Sequence, residues 1–246
     1  MTENLGEFIG VGVGPGPSGM ITVKGLNALL KADKVLVPRA KGAKESVALT
    51  CIKDIDVPKE KIEFLDYPMS NDETVLHSIY QEIAKKIISD LKRNLNLVYI
   101  TIGDPYVYST YTYTVHALKE LIPEISITTY PGISSFQAIA AAMDFPLGIG
   151  KEKILILPCP ETAEELKTHI ENNDNIVLMK IGDRFDWVRK LLVDMNILAN
   201  CVLGKRIGLD NEILTNDLMG LKVDEKPGYL SVLIIRSKPP VGRNGL

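Results

Sequence analysis

Three glycine turns, a run of tyrosines and a short basic loop carry the chemistry legible in this chain. The first turn is Gly10-Val11-Gly12-Val13-Gly14-Pro15-Gly16-Pro17-Ser18-Gly19, between an apolar strand and a helix starting near Thr22. A strand, a glycine turn and a helix N-terminus together let backbone approach a ligand closely. Gly14, Gly16 and Gly19 formally satisfy G-x-G-x-x-G, yet Pro15 and Pro17 remove two N–H donors that a pyrophosphate would need. A dinucleotide fold also wants an acid at the end of its second strand, where this chain has Pro38-Arg39, although Arg39 would suit a 2′-phosphate. A tight β-to-α turn without a ligand explains the same residues.

Thr101-Ile102-Gly103-Asp104-Pro105 follows a strongly apolar segment. That places a Gly-Asp-Pro turn at the carboxyl end of a strand, where open α/β sheets bind ligands. Gly103 admits a close approach, Pro105 stiffens the turn, and Asp104 offers an acceptor or a negative charge. Tyr130-Pro131-Gly132-Ile133-Ser134-Ser135 repeats the pattern with two hydroxyls at a helix start. Capping uses one of them, and the other could hold a ligand's carboxylate or ribose.

Tyr99, Tyr106, Tyr108, Tyr111 and Tyr113 put five of the nine tyrosines into fifteen residues. Tyrosine joins an apolar face to a polar tip, which suits the wall of a pocket for a large flat ligand, and equally a dimer interface or a core. Arg39, Lys41 and Lys44 form a short basic loop beyond the second strand. Such a loop is either solvated surface or a reader of several substrate carboxylates, for which the planar fork of Arg is best suited.

The three histidines, His77, His116 and His169, lack metal-ligand spacing and read as structural. Cys51, Cys159 and Cys201 are odd in number and far apart, so they predict no disulfide framework and no zinc site. No G-x-S-x-G, H-E-x-x-H or Walker sequence is present, which removes support for a serine hydrolase, a zincin or a P-loop enzyme.

The elements that must position these residues follow from periodicity. Short Ile-, Val- and Tyr-rich runs alternate with helical segments, the βαβ signature of an α/β protein. Strands are expected at Phe8–Val13, Lys34–Val37, Lys61–Tyr67, Leu97–Ile102 and Ile125–Tyr130, then at Lys153–Pro158, Ile176–Lys180, Cys201–Gly204, Glu212–Asn216 and Tyr229–Arg236. Helices are expected at Thr22–Lys31, Ser46–Ile52, Asp72–Leu91, Ser109–Glu120, Ser134–Met143, Thr162–Asn172 and Phe185–Met195. From Asn200 onward strands follow one another, which predicts a second sheet that is mixed. The expected domains are residues 1–132, around a mainly parallel five-stranded sheet, and 133–246, around a mixed five-stranded sheet.

Length points to one large domain or two modest ones, at about 100–200 residues per domain. Hydrophobic residues at 46% and charged residues at 24% exclude disorder and coiled coil, and a net charge of −3 argues against general attraction to nucleic acid or anionic membrane. No stretch reaches the roughly 18 apolar residues of a membrane helix, and a cytoplasmic, reducing location is expected.

The chain as a whole resembles the tetrapyrrole (corrin/porphyrin) methyltransferases. The resemblance runs from about Phe8 to Arg236 and rests on Gly12-Val13-Gly14-Pro15-Gly16, Tyr67-Pro68-Met69, Gly103-Asp104-Pro105 and Tyr108-Ser109-Thr110. Further matches are Pro131-Gly132-Ile133-Ser134-Ser135-Phe136-Gln137-Ala138, Val177-Leu178-Met179-Lys180 and Tyr229-Leu230-Ser231. The Tyr-Ser-Thr and Ser-Ser-Phe-Gln-Ala segments resemble in particular the branch that methylates C20 of precorrin-2 or cobalt-factor II in cobalamin biosynthesis. Pro17 stands where the family often has Asp.

The resemblance implies two α/β domains with S-adenosylmethionine held in the cleft between them, a homodimer, and a tetrapyrrole substrate. It implies cofactor contacts at Pro15, Gly103, Asp104, Val107, Tyr108, Ser134, Ser135, Met179, Lys180 and Leu230. Arg39, Lys41 and Lys44 would then anchor acetate and propionate groups of the macrocycle. No catalytic base is assigned; Tyr108, Tyr111, solvent or the macrocycle itself would take the departing proton. Other classes stay open on the residues alone: an NADP-dependent oxidoreductase using the Gly14 turn and Arg39, a non-catalytic tetrapyrrole carrier, or a methyltransferase of the same superfamily acting elsewhere.

Overall fold

A computed structural model describes residues 5–16, 18–68, 72–221 and 230–238. Pro17, Met69, Tyr229 and the last residues fall outside the described ones. The chain divides into two compact units, residues 1–134 and 135–246.

The first unit runs β1 (Phe8–Gly12), α1 (Val23–Lys31), β2 (Lys34–Ala40), α2 (Val47–Thr50), β3 (Ile62–Tyr67), α3 (Glu73–Lys92), β4 (Leu97–Thr101), α4 (Thr110–Leu121) and β5 (Ile127–Tyr130). Its strands pair in the order β3-β2-β4-β1-β5, every pairing parallel. Helix starts follow side-chain capping. Thr22 accepts from the Gly25 N–H, Asp72 from Thr74 and Val75, and Ser109 from Tyr111, each supplying an acceptor that the first turn lacks.

Parallel strands need crossovers, and these are almost always right-handed. The chain moves from β1 toward β2 in one direction and from β4 toward β5 in the other, so the two connections leave over opposite faces. Packing agrees: Phe8, Leu36, Tyr99 and Tyr111 join Ile87 of α3 and Leu118 of α4 in one core, whereas Val11 faces Gly25 of α1. The carboxyl ends of the neighbouring strands β1 and β4 are therefore the topological switch point of this sheet, the place where open α/β sheets bind ligands.

The second unit runs α5 (Ser135–Ala142), β6 (Ile154–Pro158), α6 (Ala163–Asn172), β7 (Asn175–Met179), α7 (Phe185–Asp194), β8 (Cys201–Lys205), β9 (Ile213–Thr215) and β10 (Ser231–Arg236). The order is β6-β7-β10-β8-β9, with β6 and β7 parallel and the other pairs antiparallel, the mixed sheet expected. Leu178, Leu203, Leu233 and Ile235 pack with Leu166 of α6 and Val188 of α7. The alternate positions face α5, where Gly204 makes room for Ile139. Among the described residues no helix is long and apolar enough to cross a membrane.

Two elements differ from expectation. The helix expected over Ser46–Ile52 is the single turn α2, which starts after Ser46 and stops at Thr50; the Ser46 hydroxyl donates to the Pro38 carbonyl at 2.7 Å and makes no side-chain cap. β2 continues through Pro38 to Ala40. It pairs with β4 only over Lys34–Leu36 and with β3 as far as Ala40, so Pro38 lies where β2 has one neighbour and its missing N–H breaks no second ladder. Arg39 consequently belongs to a strand, not to the basic loop.

Candidate functional site

The three glycine turns singled out in the sequence follow β1, β4 and β5, which lie side by side with their carboxyl ends on one edge. They are tied directly to one another. The Val13 N–H donates to the Thr101 carbonyl at 2.9 Å, and the Gly103 N–H donates to the Gly14 carbonyl at 2.8 Å. The Asp104 carboxylate accepts from the Gly132 N–H at 3.1 Å and from the Tyr106 N–H at 2.9 Å. Asp104 thus links the second turn to the third, a positioning task in addition to any contact with a ligand.

This knot is possible because side chains are absent from it. A Cβ on Gly12 would lie 2.5 Å from the Gly103 carbonyl oxygen and 2.6 Å from the Gly132 nitrogen, and one on Gly132 would lie 2.1 Å from that same oxygen. Gly103 and Gly14 adopt φ of 69° and 80°, a left-handed region that glycine enters without penalty. Pro15 is buried. Beyond it Ser18 donates to Asp54 at 3.0 Å, fastening the loop to the segment after α2.

The formal G-x-G-x-x-G drew attention to Gly14, Gly16 and Gly19, whereas close approach between turns falls on Gly12 and Gly132; a Cβ on Gly14 would meet Met20 at 2.7 Å, and Gly19 has open space around it. The overlooked signal was a glycine closing the fully buried strand Phe-Ile-Gly-Val-Gly. Glycine inside a strand marks a place where another backbone comes near. Gly10 in the same strand makes room for the Tyr111 ring.

The tyrosines divide. Tyr99 and Tyr111 are fully buried, while Tyr106, Tyr108 and Tyr113 are exposed. The Tyr111 hydroxyl shares a hydrogen bond of 2.7 Å with Thr129, and Tyr99 donates to Tyr67, which pairs with Thr114. Burial pushes the Tyr111 phenol well above its ordinary range. Tyr111 is thereby a core residue and not a proton acceptor, which removes one of the two tyrosines expected to assist. Tyr108 stands at φ 52°, strained for a residue with a ring, immediately before the Ser109 cap of α4. Val107 between it and Asp104 is half-buried.

Ser134 is buried, and Ser135 is the first residue of α5. In the second unit Met179 closes β7 and Lys180 follows at φ 52°. Leu230 precedes β10 at φ 53°, and its carbonyl accepts from the N–H of Arg206, itself at φ 53°. Leu233 opposes Leu178, and Ser231 opposes Lys205, so Met179–Lys180, Arg206 and Leu230 share one edge of the second sheet. Three of the expected contact positions, Tyr108, Lys180 and Leu230, are left-handed non-glycine residues, a form of strain that gathers at ligand sites.

Of the three basic residues, Lys41 and Lys44 are exposed, and Arg39 is paired with Asp66. The three cysteines are buried and free. Burial raises Cys51 and Cys201 to about 12 and Cys159 to about 11, leaving them as thiols at neutral pH. His77 and His116 lie on exposed helix faces. No trio of His, Cys, Asp or Glu is placed to hold a metal among the described residues.

Residues 7–221 match the family described as Tetrapyrrole (Corrin/Porphyrin) Methylases. The chain belongs to this family. A relative of this methylase named "Probable cobalt-precorrin-2 C(20)-methyltransferase", from Methanocaldococcus jannaschii, is 35% identical over 242 residues, covering 96% of this chain and 98% of its own. The cobalt-precorrin-2 C(20)-methyltransferase of Salmonella typhimurium is 24% identical, covering 95% of this chain and 97% of its own. Among solved structures, the uroporphyrin-III C-methyl transferase of Thermus thermophilus complexed with S-adenyl homocysteine has the same fold. Its TM-score is 0.61 at 17% identity, with 94% of this methylase and 97% of that chain covered.

Proposed function

We propose that this methylase transfers a methyl group from S-adenosylmethionine to C20 of precorrin-2 or its cobalt complex, on the route to cobalamin. The observation that carries the proposal is the knot of bare-backbone turns at the carboxyl ends of β1, β4 and β5, in a chain that aligns over nearly its whole length with a protein named for that reaction. The cofactor supplies an electrophilic sulfonium methyl and departs as S-adenosylhomocysteine. Everything else asked of the protein is placement.

Gly12 and Gly132 let the three turns pack backbone against backbone, and Asp104 holds two of them in register. These turns suit a ligand that must lie against bare backbone. Pro15, Val107, Tyr108 and Ser134 in the first unit, with Ser135, Met179, Lys180 and Leu230 in the second, are the further proposed contacts. Arg39, Lys41 and Lys44 anchor carboxylates of the macrocycle and so select the carbon presented. Holding sulfonium methyl and carbon in line supplies on the order of several kcal/mol of the barrier reduction. The new bond forms from an electron pair of the macrocycle, the sulfur keeps the pair of the broken C–S bond, and the methylated carbon loses a proton to solvent or to the ring.

The protein is proposed to act in the cytoplasm as a homodimer, which sedimentation of the purified protein tests. Calorimetric titration with S-adenosylhomocysteine, with NADP⁺ in parallel, tests the cofactor class. Binding of the former alone is expected; binding of NADP⁺ alone would overturn the proposal. The Arg39 fork faces Asp66, an arrangement that does not favour a 2′-phosphate there.

A further inference from the structure

Arg39 is held on two sides by residues that the sequence did not single out. In the β2–β3 register it stands opposite Asp66, whose carboxylate accepts from Nε at 2.8 Å and from Nη2 at 3.1 Å. The Phe64 ring, two residues earlier on the same face of β3, lies 4.4 Å from the guanidinium carbon. An ion pair on one edge and an aromatic face beneath leave the guanidinium one orientation. Among the described residues nothing takes its Nη1 donors, and a planar fork with one edge engaged can offer the other to a second carboxylate.

The local charge favours an anion. Lys41 and Lys86 also act on Asp66, while Lys86 is itself paired with Glu63 at 2.7 Å. Asp66 therefore stands as one negative charge against Arg39 and Lys41. Hydrogen bonds from Arg39 hold its carboxyl below the usual carboxylate range, so the pair persists well into acid. The pair is solvent-accessible on both sides, and such pairs contribute little to stability. Keeping an Arg fork this well ordered does little for the fold. It does serve recognition, since the pair sits at the carboxyl end of β2, on the same edge of the parallel sheet as the carboxyl ends of β4 and β1.

We infer that Asp66 and Phe64 are positioning residues: they fix Arg39 so that its outer edge takes one peripheral carboxylate of the acidic macrocycle, which helps to decide which ring carbon meets the methyl. The inference rests on the methyltransferase function proposed above. Removing Asp66 frees the guanidinium to rotate and weakens capture of that carboxylate, while the cofactor turns and the transfer step are untouched.

The test compares wild type with Asp66→Asn, Asp66→Glu, Phe64→Leu and Arg39→Lys. Four quantities are read: kcat and KM for precorrin-2 and its cobalt complex prepared anaerobically, Kd for S-adenosylhomocysteine, and Tm. Asp66→Asn is expected to raise the macrocycle KM about tenfold with kcat, Kd and Tm unchanged, because the lost contribution is one of binding. Asp66→Glu recovers most of the loss. Arg39→Lys does not, lacking the fork, and Phe64→Leu gives a smaller rise of the same kind. A KM for Asp66→Asn less than about threefold above wild type overturns the inference, as does a rise matched in Kd or accompanied by a fall in Tm. Wild type that neither binds S-adenosylhomocysteine nor methylates either macrocycle refutes the proposed function itself. An active wild type with an indifferent Asp66 refutes the positioning role alone.

Discussion

Replacing Gly12 by alanine puts one methyl group into the knot of turns. Its Cβ would stand 2.5 Å from the Gly103 carbonyl oxygen, 2.6 Å from the Gly132 nitrogen and 2.7 Å from the Gly132 Cα. Ordinary contacts need about 1 Å more, and all three atoms are backbone, which cannot swing aside as a side-chain tip can. The turns must separate, and the bonds placed to resist are those from Gly103 to Gly14 and from Gly132 to Asp104. Overpacking of this kind costs about 1–3 kcal/mol of stability. Strain of that kind expressed in the complex weakens ligand binding about tenfold for each ~1.4 kcal/mol. Calorimetry with S-adenosylhomocysteine, alongside thermal unfolding, reads both effects. Gly19→Ala is the control, since a Cβ there meets nothing within 4 Å. The expected outcome is a folded Gly12→Ala protein with affinity about tenfold or more weaker and a Gly19→Ala protein indistinguishable from wild type. A Gly12→Ala protein of undiminished affinity would refute the assignment of these turns to the cofactor.

Tyr111→Phe removes a hydrogen bond to Thr129 and is expected to cost about 1 kcal/mol in urea unfolding while leaving kcat unchanged, in keeping with a core residue. In the second unit, Glu152 pairs with the almost fully buried Arg236, whose Nη1 also donates to the Pro146 carbonyl at 3.0 Å. Glu152→Ala leaves that guanidinium without its carboxylate, and denaturant titration is expected to show a loss of about 3 kcal/mol or more. Glu63, Asp72 and Glu152 all have carboxyl groups lowered on folding, by Lys86 and Lys34, by the Thr74 and Val75 groups, and by Ile149, Asn175 and Arg236 respectively. Groups lowered in the folded state stabilise it above their unfolded range. Stability measured against pH should therefore be flat from neutral to about pH 4.5 and fall below it as these groups take up protons.

The elements were legible because their patterns are local. The four-residue spacing of Ile79, Ile83, Ile87 and Leu91 marks α3, and Asp72 marks its start through the hydrogen bonds that Thr74 and Val75 donate to it. The extent of β2 was hidden because a proline inside a strand reads as its end. That proline is tolerated only because β4 has already parted from β2, a fact of sheet order rather than of sequence. The glycine turns announced the site, but not which glycines are indispensable: Gly12 and Gly132 matter through atoms from segments about 90 and 30 residues away from Gly12 and Gly132 respectively. The tyrosine cluster looked uniform in sequence. Position on the inner or outer face of α4 and its preceding loop separates Tyr111 from Tyr106 and Tyr113. The partnership of Arg39 with Asp66 is likewise a product of register, since nothing in the spacing of 27 residues between them announces it.

The central claim is methyl transfer to one carbon of a tetrapyrrole. Its most direct test is anaerobic incubation of the protein with precorrin-2, with and without cobalt, and S-adenosylmethionine carrying a ¹³C-labelled methyl, followed by NMR of the isolated macrocycle. The account predicts one labelled methyl at C20 and an equal amount of S-adenosylhomocysteine. Label on a different carbon, or none on either macrocycle, would contradict it.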